Sequence, residues 1–385
     1  MDRRRSSLPD QAPAGTSLSE RVPAAQSGTT CGSPGVPGSP DGVQDGAMDA
    51  VDALNEIAFW LERELAPTFK IQAFRKAAGI IAGVEAEELA ARARDGRLKR
   101  TKGIGDRTFQ VIREALDGEV PEYLVGLRSR GAEPLVPGGH ELLAALRGDL
   151  HSHSDWSDGG SPIAAMVDAA KILGREYLAL TDHSPNLKIA NGLSAGRLAE
   201  QLAVVEEVND DGGFRLLRGI EVDILEDGTL DQTPEMLDRL DIVVASVHSK
   251  LRSDKRTMTR RMLGAIADPH TNVLGHCTGR LVQGGRGTRP ASEFDAEEIF
   301  AACAEHNVAV EINSRPERQD PPAALIEVAL DAGCLFSVNS DAHAPGQLDF
   351  LQYGAERAER NGVPAERIVT TWPLERLLDW ATAGR

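Results

Sequence analysis

The stretch GDLHSHSDWSDG, residues 148–159, places two histidines two positions apart and an aspartate five positions further on. The alternation of apolar and polar residues in LRGDLHSH predicts a β-strand, and residues i and i+2 of a strand share a face. His151 and His153 therefore point the same way. Two imidazoles side by side repel when both are charged and pack poorly, and sharing a metal ion is the usual physical reason to pair them. A polar strand end is the ordinary alternative for a lone H-x-H, so the rest of the chain has to decide.

From residue 147 onward, short apolar runs alternate with amphipathic stretches. The runs are RGDLHSH, EYLALTDH, RLLRGIEVDI, DIVVASVH, NVLGH, VAVEINS and LFSVNSDAH. Stretches such as SPIAAMVDAAKILG, SAGRLAEQLAVVEEVN, DAEEIFAACAEHN and PAALIEVALDAG separate most of them. This alternation predicts an α/β fold with a parallel sheet, either open or closed into a barrel. Chemistry-bearing residues gather at the strand ends: His151 and His153, then His183, Glu221, His248, His276, and finally Asp341 and His343, with Asp158 in the loop after the first strand. In parallel α/β folds the carboxyl ends of the strands share one face, and that face hosts the site. These nine residues, including six of the nine histidines of the chain, are therefore expected on one rim.

Each has an ordinary reading alone. Glu221 could pair with an arginine, His248 could be a hydrogen-bonded strand end, and the neighbouring Asp182 could cap a turn rather than bind. Together they favour a metal site. His140, His270 and His306 fall in a linker, a loop and a helix end and read as structural or exposed. Nine donors exceed what one tetrahedral zinc takes. They suit two or three divalent ions sharing a carboxylate, and the mixture of imidazole and carboxylate favours Zn, Mn or Fe over Mg or Ca. Such a cluster acidifies water and clamps phosphoryl oxygens, which points to metal-assisted phosphoester hydrolysis. Arg315 and Lys250, close behind strand ends, are candidates to contact the phosphate, with surface ion pairs as their alternative role.

The chain has 385 residues, 41% of them hydrophobic, and a formal net charge of −17. That charge argues against a protein that coats nucleic acid over its whole surface, and leaves room for a local basic patch. No apolar run approaches the roughly 20 residues of a membrane helix. No apolar segment follows the arginines at positions 3–5, so a cytoplasmic protein is expected. Cys31, Cys277, Cys303 and Cys334 show no paired spacing and read as reduced thiols, with Cys277 a small buried residue rather than a ligand. Residues 1–47, rich in Gly, Pro, Ser and Ala, read as a disordered tail. Residues 48–127 read as helices, the first with Val51, Leu54, Ile57, Ala58, Leu61 and Leu65 at helical spacing. They end in LKRTKGIGDRTFQVIREALDG, a short helix, a tight turn at Gly103-Ile104-Gly105 and a helix from Asp106. Seven Lys/Arg against two Asp fall in residues 92–107. Residues 128–146 read as a linker, and 147–385 as the α/β domain.

The motifs DLHSHSDWSDG, LTDHS, GIEVDI, VASVHS, LGH, VEINS and NSDAH, in this order over residues 147–345, resemble those of the PHP (polymerase and histidinol phosphatase) family. The resemblance implies a distorted seven-stranded (β/α)7, TIM-like barrel with a trinuclear metal centre. It implies one ion on His151, His153, Glu221 and Asp341, a second on Glu221, His248 and His276, and a third on Asp158, His183 and His343. Where some relatives carry a histidine, Asp158 here shifts the expected preference toward manganese. Residues 48–127 resemble the helical N-terminal domain of bacterial X-family DNA polymerases, with KGIGDRTFQVIREAL as a helix-hairpin-helix. By that likeness Lys102, Gly103, Ile104, Gly105 and Arg107 would meet a DNA phosphate at a helix N-terminus. The polymerase palm of those proteins has no counterpart in the short linker, and the lysine of their lyase-active members falls at Val111, so neither activity is expected. The expected function is a metal-dependent phosphoesterase acting on DNA ends as a 3′–5′ exonuclease in repair, held through residues 92–107. A small-molecule phosphomonoesterase of the histidinol-phosphatase type is the alternative, and an inactive metal-stabilised DNA-binding module the second alternative. No membrane partner is expected.

Overall fold

The computed structural model describes residues 48–209, 212–285 and 287–383. The expected tail, residues 1–47 with Cys31, lies outside the described residues.

Five helices come first: α1 (Ala50–Arg63), α2 (Thr68–Ile81), α3 (Ala86–Arg94), α4 (Asp106–Leu116) and α5 (Glu122–Gly131). Asp49 starts α1 by accepting the amides of Val51 and Asp52, a cap worth about 1 kcal/mol. The stripe Leu54, Ile57, Ala58 and Leu61 is buried against Phe74, Ile81, Val111, Ile112, Leu124 and Leu127. Leu65, expected on that stripe, is 43% exposed. The helix has already ended, and Leu65 turns the chain with φ 52°. The expected boundary at residue 127 is also corrected. α5 continues to Gly131, because Arg128 is held by Glu56 of α1 (2.7 Å). A further helix, α6 (His140–Ala145), lies in the expected linker.

The remainder is the expected distorted barrel. Strands β1 (Gly148–Ser152), β2 (Tyr177–Leu180), β3 (Arg215–Asp223), β4 (Ile242–Ser246), β5 (Val273–Leu274), β6 (Ala309–Asn313) and β7 (Phe336–Asn339) pair in sequence order, every pair parallel. Helices α7 (Ile163–Ile172), α8 (Ala195–Asn209), α9 (Pro234–Leu237), α10 (Lys255–Ile266), α11 (Ala296–Glu305) and α12 (Ala323–Asp331) connect them, and α13 (Leu351–Arg360) and α14 (Leu374–Thr382) follow. Parallel neighbours require such crossovers. At the carboxyl end β1 meets β7 directly, where the His153 amide donates to Ala342 O at 2.8 Å. Lower down, residues 368–372 wedge into the seam: Thr370 O accepts the Arg147 amide, and Phe336 bridges to Ile368.

The barrel interior has two layers. The floor is apolar, built by Leu150, Tyr177, Ala179, Leu217 and Val244 and closed by Trp372, Leu377 and Trp380. Above it lie imidazoles and carboxylates. The change of layer on β1 depends on a bulge. Asp149 pairs with Leu178 but Ser152 with Leu180, three steps against two. Strict alternation would send Leu150 and His151 to opposite faces; the extra residue turns both inward. Leu150 joins the floor, and His151 reaches Glu311 in the upper layer.

Candidate metal centre

All nine rim residues come together around Glu221, which lies on β3 and is 1% exposed. Its Oε1 is 2.9 Å from His276 Nε2 and 3.2 Å from His248 Nε2. Its Oε2 is 2.8 Å from His183 Nδ1, 3.4 Å from His151 Nε2 and 3.7 Å from His153 Nε2. His153 Nε2 also lies 3.5 Å from Asp341 Oδ1. Asp158 closes the outer side, with Oδ1 3.4 Å from both His183 Nε2 and His343 Nε2. Four overlapping groups have donor atoms within 4.8 Å of one another: His153–Asp158–His183–His343, His151–His153–Asp341, His151–Glu221–His276 and His183–Glu221–His248.

Three of the histidines are contacted from behind. His151 Nδ1–H donates to Glu311 Oε1 (2.7 Å) and His248 Nδ1–H to Asp223 Oδ1 (3.0 Å), while His343 Nδ1 lies 2.9 Å from the Asp341 carbonyl oxygen and 3.1 Å from Arg315 Nη1. The two carboxylate bonds fix the tautomer of His151 and His248 and turn Nε2 toward the cluster, as in carboxylate–histidine–metal triads. The donors also fit a metal by what they lack. His151 Nε2, both nitrogens of His153, His183 Nδ1 and His276 Nδ1 are buried without a hydrogen-bond partner. An unsatisfied buried polar atom costs about 1–3 kcal/mol, and coordination would supply a partner to one nitrogen of each of these imidazoles.

The electrostatics agree. Burial opposes charge on Glu221, yet His248, His151 and His183 hold its carboxyl well below the usual range. Burial lowers His183 too, but Glu221 and Asp158 outweigh it and raise the imidazole to about 10. Burial, with His343 and His183 beside it, pushes His153 down to about 3, so its nitrogens stay neutral. For Asp341 burial works upward, and Arg318 and His151 outweigh it and hold the carboxyl low.

Arg315 sits at the rim, but both terminal nitrogens of its guanidinium are occupied. Nη1 donates to Asp341 O and Gln347 Oε1, and Nη2 to Glu317 Oε1. Lys250 is exposed two residues beyond His248, with φ 53°. Arg318, not expected from the sequence, is 9% exposed: Nε donates to Asp341 Oδ2 (3.0 Å), and its terminal nitrogens have no hydrogen-bond partner among the described residues. Asp182 caps the loop before Asp158, accepting from the Ser154 amide and from the hydroxyls of Ser154 and Ser157. Cys277 is buried, its Sγ 3.9 Å from Asp320, and is in none of the four donor groups. Glu311 and Asp223 are the orienting residues that the sequence did not single out. The signal was parity: Asp223 stands two positions from Glu221 on β3 and so shares its face.

Lys102, Gly103, Ile104, Gly105 and Arg107 belong to the helical region, at the start of α4. Gly103 has φ 103°, and a Cβ there would lie 2.6 Å from Ile80 Cδ1. The Ile104 amide donates to Thr101 O and the Gly105 amide to Thr108 Oγ1. Those two are therefore engaged, and the amides that open α4 are those of Asp106 and Arg107. Lys99 neutralises Asp106 at 3.0 Å, and Arg107 lies over the Tyr123 ring.

A parallel seven-stranded barrel whose carboxyl rim gathers imidazoles and carboxylates in this way defines the class of metal-dependent hydrolases. Comparison with known proteins refines that class. The PHP domain family matches residues 149–315. The chain is 30% identical over 242 residues to a probable phosphatase of Aeromonas hydrophila, covering 60% of this chain and 92% of that protein. It is 36% identical over 234 residues to the DNA polymerase/3′-5′ exonuclease PolX of Bacillus subtilis, covering 60% of this chain but only 40% of that relative. A solved histidinol phosphate phosphatase of Lactococcus lactis, in complex with zinc, L-histidinol and phosphate, superposes with TM-score 0.42 at 20% identity, covering 56% of this chain and 94% of that one. The chain belongs to the PHP family. It is a hydrolase acting on phosphoester bonds. Among the described residues no helix is long and apolar enough to cross a membrane.

Proposed function

We propose that this protein hydrolyses phosphodiester bonds at DNA ends, as a 3′–5′ exonuclease in DNA repair, with two or three divalent ions (Zn, Mn or Fe) in the rim. The observation that carries the reading is the union in one chain of a phosphoesterase barrel and a basic, glycine-turned helix start. Arg94, Arg100, Lys102 and Arg107, which flank that start in sequence, are exposed, and helix N-termini attract phosphate oxygens. The 36% identity to the Bacillus subtilis polymerase/exonuclease supports it.

His151, His153, Glu221 and Asp341 would hold one ion, Glu221 with His248 and His276 a second, and Asp158 with His183 and His343 a third. Bound divalent ions lower the pKa of water and neutralise charge on phosphoryl oxygens. The chain's own groups do the rest. Glu311 and Asp223 orient imidazoles. The unpartnered end of Arg318, together with Arg315 and Lys250, supplies positive charge for the phosphate.

A second reading, a small-molecule phosphomonoesterase of the histidinol-phosphatase type, has its own observation. A cavity of about 290 Å³ lined by Asp158, Leu281, Gln283, Arg315, Glu317 and His343 opens beside the donors. Its volume suits a small phosphomonoester.

The test is hydrolysis of a 5′-labelled primer-template by manganese-loaded protein, with histidinol phosphate in parallel and a His151→Ala/His153→Ala double variant as control. Stepwise shortening from the 3′ end, absent in the variant, is expected. An intact primer with phosphate released from histidinol phosphate would transfer the conclusion to the second reading.

A further inference from the structure

The helical region touches the rim through two charged residues at the end of α1. Glu62 and Arg63 are 2% and 6% exposed. Buried charges are unfavourable unless paired and hydrogen-bonded, so what they pair with is informative. Glu62 is gripped by Arg75 of α2 (2.9 Å), and its Oε2 accepts the Gly346 amide at 3.0 Å. Arg63 Nε donates to Asp349 Oδ2 at 2.5 Å, and Nη2 to Glu133 O. Both barrel partners lie in one 3-10 turn, Pro345–Phe350. The packing there is tight, since a Cβ on Gly346 would lie 2.0 Å from the Phe59 carbonyl oxygen.

That turn is the direct continuation of His343. Between the two gripped positions, Gln347 Oε1 accepts the His343 amide (2.9 Å) and Arg315 Nη1–H (3.2 Å). The His343 carbonyl accepts the amide of Gly160, two residues after Asp158, at 2.7 Å. Two members of the His153–Asp158–His183–His343 group are thus hung from a segment whose other side rests on α1. Asp158 and His343 are also the most exposed of the nine, with side chains at 36% and 25%. The His151–Glu221–His276 group draws on no residue of that segment.

We propose that Glu62 and Arg63 are positioning residues for this outer donor group, so that docking of the helical region on the barrel sets its metal occupancy. The inference rests on reading the rim residues as metal donors. It gives the helical region a role that is independent of nucleic acid.

The test counts manganese bound to full-length protein by elemental analysis after gel filtration, across a range of free manganese, for Arg63→Ala, Arg63→Lys and Gly346→Ala. His343→Ala marks the outer class of ion, and circular dichroism checks the fold. Arg63→Ala and Gly346→Ala are expected to weaken the outer class about 10–100-fold, the usual effect of losing an outer support. The inner ions should bind as in the parent protein, and Arg63→Lys should restore much of the loss. Retention of every ion at parental affinity in both undocking variants, or loss of all ions together, would overturn the proposal. If Gly346→Ala fails to fold, the Arg63 pair decides. An ion count unchanged by His343→Ala would instead overturn the reading of the rim, which separates the two failures.

Discussion

Glu311→Gln isolates the support behind the donors from the donors themselves. Glu311 is fully buried, and all of its partners are hydrogen-bond donors. Oε1 accepts from His151 Nδ1 (2.7 Å) and Asn339 Nδ2 (2.9 Å); Oε2 accepts from the His276 amide (2.7 Å) and Asn313 Nδ2 (3.1 Å). The asparagine orientations are fixed independently, because their oxygens accept from the Leu150 and Arg315 amides. Glutamine conserves volume but replaces one oxygen by an NH₂, which then confronts two donors. Each buried donor left unsatisfied costs about 1–3 kcal/mol, so the metal-free fold should lose about 2–6 kcal/mol. His151 also loses the anion that sets its tautomer, and metal affinity should fall about 10–100-fold. Denaturant unfolding with and without manganese measures the first quantity, and ion titration followed by elemental analysis the second. A variant that unfolds as the parent does and binds manganese within about twofold of it would refute the argument, since a support of this kind costs at least tenfold when removed.

The paired variant His151→Ala/His153→Ala removes two of the four residues proposed to hold the first ion, so one bound manganese should be lost and hydrolysis should fall to background. Metal affinity should rise with pH. In the metal-free protein burial opposes but Glu221 and Asp158 raise His183 to about 10, so loading at pH 7 must release a proton, which a weakly buffered titration detects. The same shift stabilises the metal-free fold fully below the ordinary value of 6.5, and that contribution is lost as pH rises through about 10, readable in urea midpoints at pH 6, 8 and 10. Lys102→Ala should weaken duplex binding uniformly across sequences and reduce the slope of log affinity against log salt by about 1, measured by fluorescence anisotropy. Gly103→Ala should destabilise the helical region by about 1–3 kcal/mol, because an L-residue at φ 103° is strained and its Cβ meets Ile80.

Much of the barrel was legible because parallel strands buried on both faces leave short apolar runs, and six of the seven runs here carry a candidate metal donor at or near their carboxyl end. Leu65 and the end of α5 were misread for a common reason. Helical periodicity marks which face a helix buries but not where it stops. Glu311 was visible only as the second residue of VEINS. A carboxylate at an inward position can bind a metal or hold an imidazole, and the choice depends on what faces it across the barrel. Arg315 and Arg318 illustrate the same limit, since three positions of sequence separate a guanidinium whose terminal nitrogens are both engaged from one bonded only through Nε.

The sequence alone determined the order of the elements, the alternation that requires a parallel sheet and the types of donor at each strand end, because these depend on local periodicity and side-chain chemistry. Only the tertiary structure decided the inward turn at the β1 bulge, the meeting of the donors around Glu221, the orienting bonds behind His151 and His248, and the seating of α1 on the turn after His343. Those are distances between residues far apart in the chain, and they are fixed by closing the barrel and packing the helices onto it rather than by any neighbour in sequence.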